Sequence, residues 1–141
     1  MESWVQKAIS QWTIEGLKLN PAVTVADIAN AEEQIGFSFP DDFKQLYLTV
    51  NGFVDFEFRG FFMLSLWSLE RILADYDKTK ELIMFSDHSI SLCQYGFNKN
   101  KTGLFRAWTH HQQGPVDFIA ESFRQIIELI NSDSQLLLDD V

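Results

Sequence analysis

The residues with the capacity for chemistry are few. His88, Cys93, His110 and His111 supply imidazole and thiol groups that could ligate a transition metal, and a cysteine thiolate could act as a nucleophile. Adjacent residues of a strand point to opposite faces, so His110 and His111 cannot both meet one ion without distortion, and exposed imidazoles at a strand end are the simpler account. Cys93 lies in an apolar run with no basic neighbour in sequence to stabilise a thiolate, which fits a small buried apolar residue. The pairs Glu32-Glu33 and Asp41-Asp42 have the residue type for general acid–base work. Neighbouring helical residues do not share a face, however, and Asp41 and Asp42 suit the positive end of a helix dipole. No serine sits in a Gly-x-Ser-x-Gly elbow, and no glycine-rich phosphate loop occurs. The chain is therefore expected to be no enzyme, with no catalytic residue, cofactor or metal to assign.

Recognition is the other chemistry on offer. Phe53, Phe56 and Phe58 alternate with Asp55, Glu57 and Arg59, and Phe61 and Phe62 follow. Core burial is the simpler account of Phe61 and Phe62. For Phe53, Phe56 and Phe58 two readings stand: they cap the core, or they form a partly exposed contact surface in which aromatics are buried and acidic neighbours steer a partner. On the contact reading, Asp55, Glu57 and Asp87 are the acidic set and Phe56 and Phe58 the apolar anchors, because loops on a rigid scaffold commonly carry recognition. Asp75, Asp77 and Glu81 are offset by Lys78 and Lys80 and read as a solvated face.

Composition limits the class of partner. The chain has 141 residues, 46% hydrophobic and 22% charged, with 13 phenylalanines among its aromatics. That is enough apolar bulk for one sizeable core and leaves too little for two, so residues 1–141 are expected to form a single domain. Twenty acidic residues against 11 basic give a net charge of −9, which repels phosphate backbones and argues against nucleic-acid binding. The lone Cys93 excludes an internal disulfide. No apolar run approaches the roughly 20 residues that span a bilayer, and residues 1–4 do not begin a secretory signal. The expected location is cytoplasmic, with no membrane association.

These groups must be held by elements that the periodicity reveals. Trp4, Val5, Ala8, Ile9 and Trp12 recur at helical spacing over roughly 3–15. Thr24 can cap a second helix whose apolar face is Val25, Ile28, Ala29 and Ile35, with Gly36 at its left-handed end. Pro40 opens a third helix bearing Phe43, Leu46, Tyr47 and Val50, closed by Asn51-Gly52. Residues 61–66 alternate as a strand, and Ser68 can cap a short helix with Leu69, Ile72, Leu73 and Tyr76. Residues 82–86 and 89–97 read as strands joined at Asp87-His88, and 104–110 as the next strand. A last helix is expected over about 118–131, with Ile119, Phe123, Ile126, Ile127 and Ile130 on one face. Leu136 to Leu138 are the apolar part of the tail. Helices at both ends and strands between them make the class α+β, with a central, mostly antiparallel sheet.

The order of these signals resembles the SUKH superfamily of Smi/Knr-like domains. The run from Ala31 to Lys44, with Glu32, Gly36, Pro40 and Phe43, looks like the first family motif, and Leu46 to Gly52 continues it through Asn51-Gly52. Leu82 to Asp87 and Leu92 to Phe97 resemble the paired strands, and Ile119 to Phe123, with Ser122 and Phe123, the closing helix. The resemblance spans roughly residues 23–131. The chain departs from the family at Ser86-Asp87-His88-Ser89-Ile90, where many members have a Gly-Asp-rich turn. The resemblance implies an α+β fold without enzymatic activity. It also implies an immunity protein that neutralises a cognate protein toxin, possible targets including a basic nuclease domain, or alternatively a scaffold domain like the fungal relatives.

Overall fold

The structure is a computed structural model that describes residues 3–108 and 116–137. The first helix, α1 (Trp4–Ile14), starts at Ser3, whose hydroxyl accepts the Gln6 N–H, and it buries Val5, Ala8 and Trp12. A short strand that the periodicity does not announce, β1 (Leu19–Pro21), follows. Helix α2 (Val25–Ile35) begins in a reciprocal capping box, in which the Thr24 hydroxyl accepts the Asp27 N–H and the Asp27 carboxylate accepts the Thr24 N–H. Its buried stripe is Ile28, Ala31 and Ile35, whereas Val25 and Ala29, expected on the apolar face, are exposed. Gly36 ends α2 at φ +76°, a left-handed conformation that costs glycine little. The Glu32 carboxylate then accepts the Phe39 N–H at 2.7 Å, which ties the turn before Pro40 back to the helix.

Pro40 is the N-cap of α3 (Asp41–Tyr47), which buries Phe43, Leu46 and Tyr47. The helix ends at Leu48, earlier than Asn51-Gly52. Val50, expected on its stripe, lies instead in β2 (Val50–Phe53), antiparallel to β1. The overriding cause is tertiary. The Asn51 amide side chain accepts the Leu69 N–H at 2.7 Å and donates to Glu70 at 2.9 Å, which draws this segment into contact with the start of the next helix. Gly52 is left-handed (φ +67°), and a Cβ there would stand 2.5 Å from the Trp67 carbonyl oxygen. It is therefore a close-approach glycine within a strand.

Of the strand expected at 61–66, only β3 (Ser65–Leu66) forms; residues 60–63 make a turn closed by a bridge between Arg59 and Leu64. Helix α4 (Leu69–Asp75) is capped by Ser68, which accepts the Arg71 N–H. Strands β4 (Leu82–His88), β5 (Cys93–Asn98), β6 (Lys101–Trp108) and β7 (Asp117–Ala120) complete a five-stranded antiparallel sheet in the order β3-β4-β5-β6-β7. Asp87 and His88 belong to β4, and the connection is 89–92. The last helix, α5 (Phe123–Asn131), starts later than expected because residues 117–120 pair with β6; Ser122 caps it through the Gln125 N–H. A 3-10 turn, Gln135–Leu137, buries Leu137, and the Leu137 carbonyl accepts the Tyr95 hydroxyl and the Arg106 guanidinium. The readings made at His110, His111 and Leu138 fall outside the described residues.

The helices and the sheet share one core of stacked aromatics. Phe43 stacks on Phe39 and Tyr47 at 4.3 and 4.1 Å, and Phe123 meets Phe43 and Phe85 edge-on at 5.1 Å. Edge-to-face and offset packing of this kind adds to the burial of large apolar surfaces. No helix of the described residues is long and apolar enough to cross a membrane.

Candidate interaction surface

The segment 54–64 leaves β2 and returns to β3, and its fixed point is Arg59. This guanidinium is almost fully buried. It donates to Glu15 through Nε and Nη2 at 2.8 and 2.7 Å, to the Ile130 carbonyl at 2.6 Å and to Asp133 at 2.9 Å. The bond from Arg59 pulls the Glu15 carboxyl below its ordinary pKa. One side chain therefore fastens the segment to the end of α1 and to the end of α5.

From that anchor the segment displays its aromatics unequally. Phe53 is core, edge-on to Trp12 at 5.0 Å, so it is not a contact residue. Asp55 is exposed, and Phe56 is 87% exposed at φ +68°. Phe58 is half-buried. Glu57 is also half-buried, and its carboxylate accepts the Lys18 backbone N–H at 2.7 Å, so it braces the segment from within. Phe61 and Phe62, expected in the core, are 92% and 41% exposed and touch edge-on at 5.2 Å. Gly60 is the local cause: at φ +76° it turns the chain outward before them.

Asp87 does not join the exposed acidic set. It is buried in β4, where its carboxylate accepts from Ser65 Oγ (2.6 Å), Ser91 Oγ (2.9 Å), Trp67 Nε1 (3.2 Å) and Arg71 (3.3 Å). Arg71 lies over the Trp67 ring at 4.1 Å, so this ion pair has an aromatic wall. A carboxylate with four donors has little capacity left for a partner.

Sequence reading also missed Ile90 and Leu92. Both are exposed, at 68% and 41%, on the 89–92 connection rather than in a strand. The polar residues on both sides of Ile90, in Ser89-Ile90-Ser91, were the available signal of a turn. The Ser89 N–H donates to the Phe62 carbonyl at 2.8 Å, which joins this connection to the 60–63 turn.

The groups considered for catalysis are placed otherwise. His88 and Cys93 are cross-strand partners, both buried. Burial pushes the Cys93 thiol up to about 12, so a thiolate is scarce at neutral pH. Burial also holds His88 below its ordinary value, favouring the neutral ring. Among the described residues, no three His, Cys, Asp or Glu side chains are grouped as a metal site. A groove of about 490 Å³ lies between Phe37–Pro40, the β5–β6 turn and the start of α5, floored by Phe97, Leu104 and Phe123. Beside it the Asp42 carboxylate, in the first turn of α3, accepts the Arg124 N–H in the first turn of α5, a bond between two helices that the sequence does not announce.

No curated protein matches the chain. Residues 22–129, from just before α2 almost to the end of α5, match a known family over more than three quarters of the length, and the chain belongs to that family, SMI1 / KNR4 (SUKH-1).

Proposed function

We propose that this protein is an immunity protein that neutralises a cognate protein toxin by stoichiometric binding in the cytoplasm, and that residues 1–141 act as one domain. Membership of the SUKH-1 family supports this reading. The observation that carries it is the display of Phe56, 87% exposed, beside the exposed Asp55 on a segment locked by Arg59. A large aromatic left in water on a rigid support supplies the buried centre of an interface, and the acidic neighbour supplies its steering rim. A net charge of −9 favours a basic target and disfavours nucleic acid.

The contact residues on this reading are Asp55, Phe56 and Phe58, with Glu57 as an acidic brace. Co-expression with the toxin domain encoded beside this gene tests the assignment. The chain should restore growth and co-purify with the toxin domain in equimolar amounts. Asp55→Lys should keep the melting temperature and slow association, most visibly at low salt. Growth that stays arrested, with no complex, would overturn the assignment.

A further inference from the structure

Two observations meet at the end of the sheet where β4 turns into β5, and a third lies along the 54–64 segment joined to it. The first is apolar exposure: Phe61, Phe62 and Ile90 are 92%, 41% and 68% exposed, and the turns that carry them are joined by the hydrogen bond from Ser89 to Phe62. The second is backbone strain. Ser89, Ile90 and Ser91 are three successive non-glycine residues in the left-handed region, at φ +51°, +54° and +65°. A β-branched residue is an outlier there, and glycine or asparagine would be the relaxed choice. The third is charge. Asp55 and Glu57 lie on the 54–64 segment, and the carboxylates of Glu15 and Asp133 hold its Arg59. The buried Arg59 is shared between Glu15 and Asp133, and Glu57 accepts the Lys18 backbone N–H. Asp133 reaches the 60–63 turn itself, with Oδ1 3.1 Å from where a Gly60 Cβ would stand.

The Ile90 side chain itself gains nothing on folding, although the serines on either side of it make hydrogen bonds. Ile90 adopts a costly conformation and points its side chain at water, so neither local propensity nor burial explains it. Sites at which a sequence breaks local rules without a compensating gain in the free protein are where function is expected. The strain is contained by neighbours. Ser91 Oγ donates to Asp87, Ser89 Oγ meets His88 Nδ1 at 3.0 Å, and Ser89 also donates to the Phe62 carbonyl. The buried Asp87 thus holds the turn that presents Ile90.

We propose that Phe61, Phe62 and Ile90 are the apolar anchors of a docking surface for a basic protein with apolar pockets, with the exposed Asp55 and Asp133 on the neighbouring segments as its acidic groups. The proposal rests on the toxin-binding reading above and deepens it: it moves the centre of the contact from the 55–58 stretch to the two joined turns, and it gives Asp87 the work of holding one of them. Charge selects a basic partner over a second copy, because two chains each carrying −9 repel. Apolar anchors at the centre and acids at the rim are the usual division of labour in an interface.

The test uses the full chain and the product of the adjacent upstream gene, the candidate toxin, in a catalytically inactivated form. Dissociation constants and rates are measured at low and high salt for the parent, for Ile90→Asn, and for Phe61→Ser combined with Phe62→Ser. Asparagine tolerates the left-handed conformation, so Ile90→Asn should melt at the same temperature as the parent or higher while binding about tenfold more weakly or worse, mostly through faster dissociation. The double Phe variant should lose affinity to a similar degree without a lower melting temperature. Binding of both variants within about twofold of the parent would overturn this surface and leave the toxin-binding reading standing, since hot-spot residues cost far more than that when truncated. Failure of the parent itself to bind would overturn the functional reading and this surface with it. A parent that is dimeric in solution and is made monomeric by the same variants would assign the surface to a second copy and overturn the proposal.

Discussion

Arg59 grips Glu15 with both arms of its fork, at 2.8 and 2.7 Å, across 44 positions of sequence, and this pair sets where the aromatic segment leaves the body. Planar two-point contact of this kind fixes direction as well as distance. Asp133 adds a second carboxylate, but its side chain is 62% exposed, against 32% for Glu15 and 4% for Arg59.

That asymmetry makes the two acids unequal. Glu15→Leu leaves a buried guanidinium with the Ile130 carbonyl and one exposed carboxylate, and a broken buried pair costs about 3–5 kcal/mol. The remaining Asp133 contact places the expected loss near the lower end, about 3 kcal/mol. Asp133→Ala removes an exposed partner and should cost less than about 1 kcal/mol. Urea unfolding of both variants checks this, and equal losses would show that the two contacts carry equal weight.

Stability should fall with acid in two steps. Burial lowers the folded pKa of His88, with the Arg106 charge lowering it further and the Asp87 charge opposing. Below its ordinary value of 6.5 the unfolded chain takes up a proton that the folded ring resists, so stability declines as pH drops from there towards the folded value. Glu15 is also lowered, chiefly by Arg59, so its contribution is present above its ordinary value of 4.5 and is lost as pH falls from there through its folded value. Melting temperatures from pH 8 down to about pH 2 should show both. His88→Gln should flatten the upper step only, and an unchanged upper step would assign it to another group.

Gly52→Ala should destabilise severely although the added group is one methyl. The left-handed backbone costs about 1–2 kcal/mol for a non-glycine residue. The Cβ would also stand 2.5 Å from the Trp67 carbonyl oxygen, which forces strand β2 away from the turn before α4 at an overpacking cost of about 1–3 kcal/mol. A melting temperature within the error of the parent would refute this packing.

Phe123→Ala should cost about 3–5 kcal/mol. The ring is fully buried and touches Trp4, Phe43, Phe85 and Phe97, so its removal opens a cavity among aromatics from two helices and two strands. Denaturant unfolding measures the loss, and a value below about 1 kcal/mol would contradict the observed burial.

What the sequence determined by itself is whatever depends on neighbours in the chain. The caps at Thr24 and Ser68 are bonds across three residues, so each could be read from residue type and spacing. The apolar run around Cys93 marked a buried strand, and the overall order of signals marked the α+β class and the family. Tertiary structure alone decided the rest. Gly52 reads as a helix stop until Trp67 is brought against it. Asp87 reads as a turn acid until Ser65, Trp67, Arg71 and Ser91 converge on it. Phe53 and Phe61 are the same residue type eight positions apart. One is buried against Trp12 and the other faces water, because hydrophobicity states a preference for burial without naming a partner. The candidate contact surface exists only because Arg59 and Ser89 tie distant segments together, and no local pattern encodes a contact between residues that sequence separates.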